Sequence, residues 1–206
     1  MKLPFALARR FVAGETFDQS IPKVRHLNEH GIKVTLDLLG ENVRDRKTAD
    51  STVDDYIGLL QNIYTAGLKS TISVKLTMMG LDIDTDYCKD NLYRLLDEAR
   101  DNDSFVRIDM EGSDYTQVTI DLFKDAFRDY GRHVGIVLQA YLHRTKEDVA
   151  ELAELGADVR ICKGAYKEPS RVALQDMAQF VKLLKNKQPF CSKKPHFQEL
   201  QLTMMN

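Results

Sequence analysis

The residues of this 206-residue chain with chemistry to offer sit where short apolar runs end. Lys75 lies within Ile72-Ser73-Val74-Lys75-Leu76. A lysine there either keeps its ammonium in solvent, supplies a cation for a substrate carboxylate, or acts as a nucleophilic amine of lowered pKa. Asp109 is flanked by Ile108 and Met110, and the period of two along a strand puts Arg107 on its face. The two either form an internal pair that stiffens the fold or contribute charge to a site. Arg160 and Lys163 bracket a run that stops at Gly164. That glycine either relieves a tight turn or lets backbone approach a phosphate or a ring. Gln139, in Gln139-Ala140-Tyr141, carries an amide able to donate and to accept. Each signal is weak alone; recurrence at equivalent strand ends gives the set its weight.

The elements that must position these residues alternate. Lys33–Leu38, Ile72–Leu76, Phe105–Met110, Gly135–Gln139 and Val159–Lys163 are β-branched and aliphatic runs, each followed by a segment of helical period. Such alternation predicts βαβ units and a parallel sheet. Thr16-Phe17-Asp18-Gln19 has the form of a capping box and opens a helix that ends at Gly31. Further helices are expected around Tyr56–Tyr64, Leu92–Ala99, Val118–Tyr130 and from Thr145 to Gly156. A last one is expected to open at Pro169-Ser170 and run to Leu184, and the polar stretch Asn42–Asp50 reads as a loop. A doubly wound sheet would favour a glycine-rich phosphate turn after the first strand. Leu38-Leu39-Gly40-Glu41 is no such turn, which favours a barrel. A closed barrel needs about eight strands and typically about 250 residues, against five recognisable strands here.

Composition narrows the class of protein. Apolar residues make up 43% and charged residues 29%, enough for a core and an ordinary solvated surface. A net charge of -2 gives no reason to expect a nucleic-acid partner. Apolar runs are strand-length, and Met1–Arg10 lacks the order of a secretory signal. Cys88, Cys162 and Cys191 form no metal-ligand or redox spacing. Cytoplasmic residence is the plain expectation.

Several longer stretches resemble the bacterial monofunctional proline dehydrogenases. They are Ser73-Val74-Lys75-Leu76-Thr77, Arg107-Ile108-Asp109-Met110-Glu111, Val137-Leu138-Gln139-Ala140-Tyr141-Leu142 and Arg160-Ile161-Cys162-Lys163-Gly164-Ala165-Tyr166. Arg9–Glu15 and Val34–Glu41 fit the same family, so the resemblance runs in order over about residues 5–185. It implies an α/β fold of the (β/α)8-barrel family, incomplete here with about five of eight units. It implies oxidation of L-proline to 1-pyrroline-5-carboxylate by hydride transfer to FAD, with electrons passed on to a quinone. Peripheral association with the inner face of the membrane is implied with it. By the same resemblance, Asp109 and Arg160 are the acid and base pair beside the flavin. Lys75 meets the proline carboxylate, and Tyr166 borders the substrate pocket. Met110, Gln139, Arg144, Lys163, Gly164 and Ala165 are cofactor-binding positions.

The sequence departs from that family pattern after about residue 186. The expected organisation is a partial barrel over 1–186 and a non-family tail over 187–206 that is irregular or frameshifted. Read from the third base of the Leu200 codon, Leu200–Asn206 can be back-translated to yield Ala-Thr-His-Asp-Asp-Glu, the family's sixth-strand motif. The expectation drawn from this is a frameshift upstream of the tail, near Lys187. The family's carboxylate-clamping arginine pair is not found in the chain, so a non-catalytic remnant is the alternative. An aldolase-type lyase using Lys75 or Lys163 as a Schiff base is a third reading.

Overall fold

Strands and helices alternate as the apolar periods require. In the computed structural model, which describes residues 12–176 and 199–204, the order is β1 (Val12–Gly14), α1 (Phe17–Glu29), β2 (Lys33–Leu38), α2 (Arg46–Thr65), β3 (Ser70–Val74) and α3 (Thr85–Asp101). There follow β4 (Val106–Ile108), α4 (Thr116–Tyr130), β5 (Val134–Gln139), α5 (Thr145–Glu154), β6 (Asp158–Cys162) and β7 (Glu199–Met204). Strands β2 to β6 are the five recurring runs. The fold is α/β of the (β/α)8-barrel kind, and five of its repeating units lie among the described residues.

The described residues fall into two compact units. The first extends to Ile108 and includes β7. In it β2 pairs parallel with β3, Leu36 opposite Ile72, and β3 pairs parallel with β4, Val74 opposite Ile108. Strand β7 lies parallel to β2, with Leu36 opposite Leu202, and also pairs with β1. The tail is expected to be irregular from the sequence, and 199–204 are in a strand; 187–198 lie outside the described residues. The second unit begins at Asp109, where β5 and β6 run parallel with Gln139 opposite Cys162.

Five of the six residues of β2 and all six of β5 are buried. Such runs are buried on both faces because in a barrel of this kind helices cover the outer face of the sheet and the strands' own side chains fill the inner one. The helices supply matching stripes. In α2 the buried residues are Ala49, Thr52, Val53, Tyr56, Leu59, Leu60 and Ile63, three or four apart as a single helix face demands.

Two local expectations are corrected. Residues 46–50, expected as loop, are the first turn of α2. Its start is set by Asp45, whose carboxylate accepts the Thr48 N–H at 2.9 Å; a polar first turn hid a helix that begins well before its apolar face. The helix expected from Pro169 does not form in its described part. Residues 170–172 make a turn and Ala173 forms an antiparallel bridge with Leu142. The Leu174 N–H donates to the Tyr141 carbonyl at 2.8 Å, so this backbone is claimed by the end of β5. The remainder of that expected helix, from 177, lies outside the described residues.

The Asp45 cap has a measurable consequence. Backbone and side-chain hydrogen bonds from Thr48 hold its carboxyl below the ordinary value of 3.8. A depressed carboxyl contributes stability above the unfolded value and loses it as pH falls through the folded one. Asp45→Ala is expected to lower the thermal midpoint by about 2–4 °C near neutral pH. Urea midpoints followed down in pH should show the gap between wild type and variant narrowing once pH falls below 3.8; a gap that stays as wide in acid as at neutral pH would refute the cap.

Candidate active site

Strand ends carry the candidate residues in each unit. In the first, Lys75 follows the last residue of β3 and immediately precedes the short 3-10 turn Leu76–Met79. Its Nζ lies 3.8 Å from Asp37 Oδ2, near the end of β2. The lysine side chain is only 17% exposed, so it is not held out in bulk solvent. The Asp37 carboxylate holds the ammonium in place and offsets part of its charge, and at 3.8 Å the contact is long enough to leave the ammonium's other N–H donors for an incoming anion. Arg107, buried in β4, stacks its guanidinium 4.6 Å above the Phe105 ring.

In the second unit, Arg160 reaches from the middle of β6 to Asp109, just past the end of β4. Arg160 Nη2 donates to Asp109 Oδ1 at 2.7 Å, with the side chains 26% and 14% exposed. A charge-assisted bond of this kind is worth roughly 1.5–3 kcal/mol. The sequence leaves Asp109 with Arg107 as one partner in prospect; the structure pairs it with Arg160, 51 residues away.

Gln139, the last residue of β5, is buried. Its Nε2 donates to the carbonyls of Met110 at 2.8 Å and Glu111 at 3.0 Å. Two carbonyl acceptors fix which end of the amide is nitrogen. The opposite atom, Oε1, is then a buried acceptor with no partner among the described residues. A buried polar atom in that state costs free energy unless a ligand satisfies it.

The stretch Lys163-Gly164-Ala165-Tyr166 leaves β6 as irregular backbone. Gly164 has φ +106, a region closed to most side chains, and the Tyr141 ring packs where its Cβ would stand. The Tyr141 hydroxyl donates to the Tyr166 carbonyl at 3.1 Å. Burial, reinforced by the Glu168 charge, pushes that phenol above its ordinary 10.0, so it stays a donor at neutral pH. Gly164, Ala165 and Tyr166 line a cavity of about 640 Å3 with Tyr141 and Glu168. Asp109, Gln139 and Arg160 are not among its lining residues.

Arg144 is not brought to these groups. Its guanidinium is forked onto Asp148, with Nε 2.8 Å from Oδ2, and Nη2 donates to Gln117 at 2.6 Å. It thereby secures the first turn of α5. Sequence reasoning missed Asp37, Ser113 and Glu168. Asp37 carried a signal, being an acid at a strand end; the other two carried none, because their pairing spans 55 residues.

The proline dehydrogenase family pattern matches residues 20–188, a span that contains every candidate site residue. The chain belongs to the proline dehydrogenase family. It is 41% identical over 169 residues to proline dehydrogenase 2 of Bacillus subtilis, covering 82% of this chain and 55% of that protein. It is 38% identical over 176 residues to proline dehydrogenase of Deinococcus radiodurans, covering 84% and 57% respectively. The chain thus spans a little over half the length of these relatives. Among solved structures, proline utilization A (PutA) from Bdellovibrio bacteriovorus, inactivated by N-propargylglycine, superposes with a TM-score of 0.72 at 26% identity. That match covers 78% of this chain and 20% of the other. PutA from Corynebacterium freiburgense shares the fold, with a TM-score of 0.62 over 78% of this chain.

Proposed function

We propose that the chain oxidises L-proline to 1-pyrroline-5-carboxylate with FAD, as the first step of proline catabolism. The observation that carries this reading is the Asp109–Arg160 ion pair at 2.7 Å, formed by two residues inside the proline dehydrogenase match. The residues fit a flavin. The unpartnered Gln139 Oε1 is an acceptor suited to a ring N–H, and the side-chain-free Gly164 admits close approach of a cofactor to backbone. Met110, Lys163 and Ala165 are the further residues assigned to hold it. FAD, when bound, supplies the two-electron acceptor for the hydride leaving the ring carbon next to the proline nitrogen.

The chain's own groups do the rest. Lys75 attracts the substrate carboxylate, and its positive charge favours loss of the ammonium proton that would otherwise withhold the hydride. Arg160 provides positive charge where negative charge accumulates during transfer, and Asp109 fixes the orientation of that guanidinium. Tyr166 borders the substrate. Arg144 remains the least supported of the assigned cofactor residues, since Asp148 and Gln117 already engage its guanidinium. Passage of electrons to a quinone and peripheral membrane association complete the reading and rest on family resemblance. No helix among the described residues is long and apolar enough to cross a membrane. The remnant alternative is not favoured, because the matched relatives are proline dehydrogenases and the candidate pair is formed. No observation favours the lyase.

The test is a visible absorption spectrum of the purified chain with FAD, before and after L-proline without oxygen. Flavin bands that bleach on adding proline are expected. Bands that persist would refute the activity while leaving the cofactor site, and absence of bound flavin would refute both.

A further inference from the structure

The irregular segment 163–168 has no strand or helix to set its geometry, although it carries three of the residues assigned to the cofactor. Irregular backbone is fixed by individual hydrogen bonds, here the Tyr141 N–H to the Lys163 carbonyl and bonds from side chains. Among the side-chain bonds, those of Glu168 have an ionised acceptor and are forked. Its Oε1 accepts the Ser113 N–H at 2.7 Å and its Oε2 accepts the Ser113 hydroxyl at 2.5 Å.

Ser113 opens the 3-10 turn Ser113–Tyr115, which leads directly into α4. The residue before it, Gly112, has no side chain with which to cap that start. Helix starts expose N–H groups and favour a negative charge. Glu168 meets both demands from 55 residues downstream. The five residues 109–113 then take three long-range attachments. Arg160 binds the Asp109 carboxylate, Gln139 binds the carbonyls of Met110 and Glu111, and Glu168 binds Ser113. The first two attachments come from residues already assigned to the site. The third ties the segment after β6 to the same short stretch.

We propose that Glu168 is a positioning residue for the cofactor, its forked bond to Ser113 setting the geometry of residues 163–168. This rests on the reading of Lys163, Gly164 and Ala165 as cofactor-binding. Glu168 acts through the backbone it holds and takes no part in the chemical step.

The experiment compares the wild-type chain with Glu168→Ala, Glu168→Gln, Ser113→Ala and the Glu168→Ala/Ser113→Ala pair. It reads the FAD dissociation constant from fluorescence quenching and the visible spectrum of the bound flavin. Glu168→Ala is expected to weaken FAD by about tenfold or more and to shift the flavin bands. Glu168→Gln, which keeps an acceptor for the Ser113 N–H, should recover most of that loss. Ser113→Ala on top of Glu168→Ala should change affinity by less than about twofold, because the bond is already gone. Unchanged affinity and spectrum in Glu168→Ala, or fully additive losses in the pair, would overturn the proposal. Should Glu168→Ala fail to fold, Ser113→Ala alone decides. It removes only the hydroxyl bond, and an FAD affinity equal to wild type there overturns the proposal. A wild-type chain that binds no FAD would overturn the site reading itself, an outcome distinct from variants that bind as wild type does.

Discussion

Replacing Arg160 with alanine is expected to reduce proline-dependent flavin reduction by about a hundredfold or more, the scale on which loss of one preorganised electrostatic group acts. The guanidinium donates to Asp109 at 2.7 Å and is three-quarters buried. Removing it takes away the positive charge assigned to the reacting centre and the partner that orients a largely buried carboxylate. Charge and orientation can be separated. Arg160→Lys keeps a cation but presents a point charge on a flexible stem in place of a planar fork. It should recover part of the rate and not all of it. Asp109→Asn keeps an oxygen acceptor for the arginine while removing the negative charge, so its loss should be smaller than that of Arg160→Ala. Stopped-flow absorbance under anaerobic conditions reads all three. An Arg160→Ala chain that bleaches at the wild-type rate would remove the ion pair from the mechanism.

The second large effect is on stability. Gly164→Ala forces a side chain into φ +106, and its Cβ would overlap Tyr141 Cε1 and Cδ1 and stand 2.7 Å from Cζ. The ring cannot swing away cheaply, since its hydroxyl is bonded to the Tyr166 carbonyl and its backbone N–H to the Lys163 carbonyl. Left-handed strain and overpacking together are expected to cost roughly 2–4 kcal/mol. That is a large share of the roughly 5–15 kcal/mol that holds a typical domain together. Urea unfolding provides the measurement. The double variant Gly164→Ala/Tyr141→Ala supplies the control: shrinking the ring should relieve the overlap but not the backbone strain, so the two costs should be less than additive. A Gly164→Ala midpoint equal to wild type would show that this turn relaxes freely.

The two variants report on different things. Arg160 tests whether the assigned chemistry is right, and Gly164 tests whether the segment that carries the assigned cofactor residues is as tightly built as its contacts indicate. Glu168 stands between them, since it holds that segment without touching the chemistry.

The sequence by itself determined the alternation of strands and helices. Strands of a parallel sheet are rich in β-branched and aliphatic residues, and the helices that pack on them repeat their apolar residues every three to four positions. Both signals are local and survive in the linear text, so β2 to β6 were legible. It also determined which strand ends bear polar groups, and so Lys75, Asp109 and Gln139. The start of α2 was not legible in the same way, because Asp45 caps a turn whose residues show no apolar period. Only the tertiary structure decided the pairings. Strand-end spacing offered Arg107 as a neighbour of Asp109 and could not bring in Arg160, 51 residues on, whose bond to Asp109 forms because parallel strands place distant residues side by side. Arg144 could have faced a ligand and is instead engaged by Asp148 and Gln117. The backbone after Pro169 could have been helical and is instead taken up by the end of β5. Glu168 was invisible altogether: a carboxylate that caps a helix 55 residues upstream leaves no trace in local spacing. Periodicity is a property of neighbours along the chain, whereas a site is a property of neighbours in space.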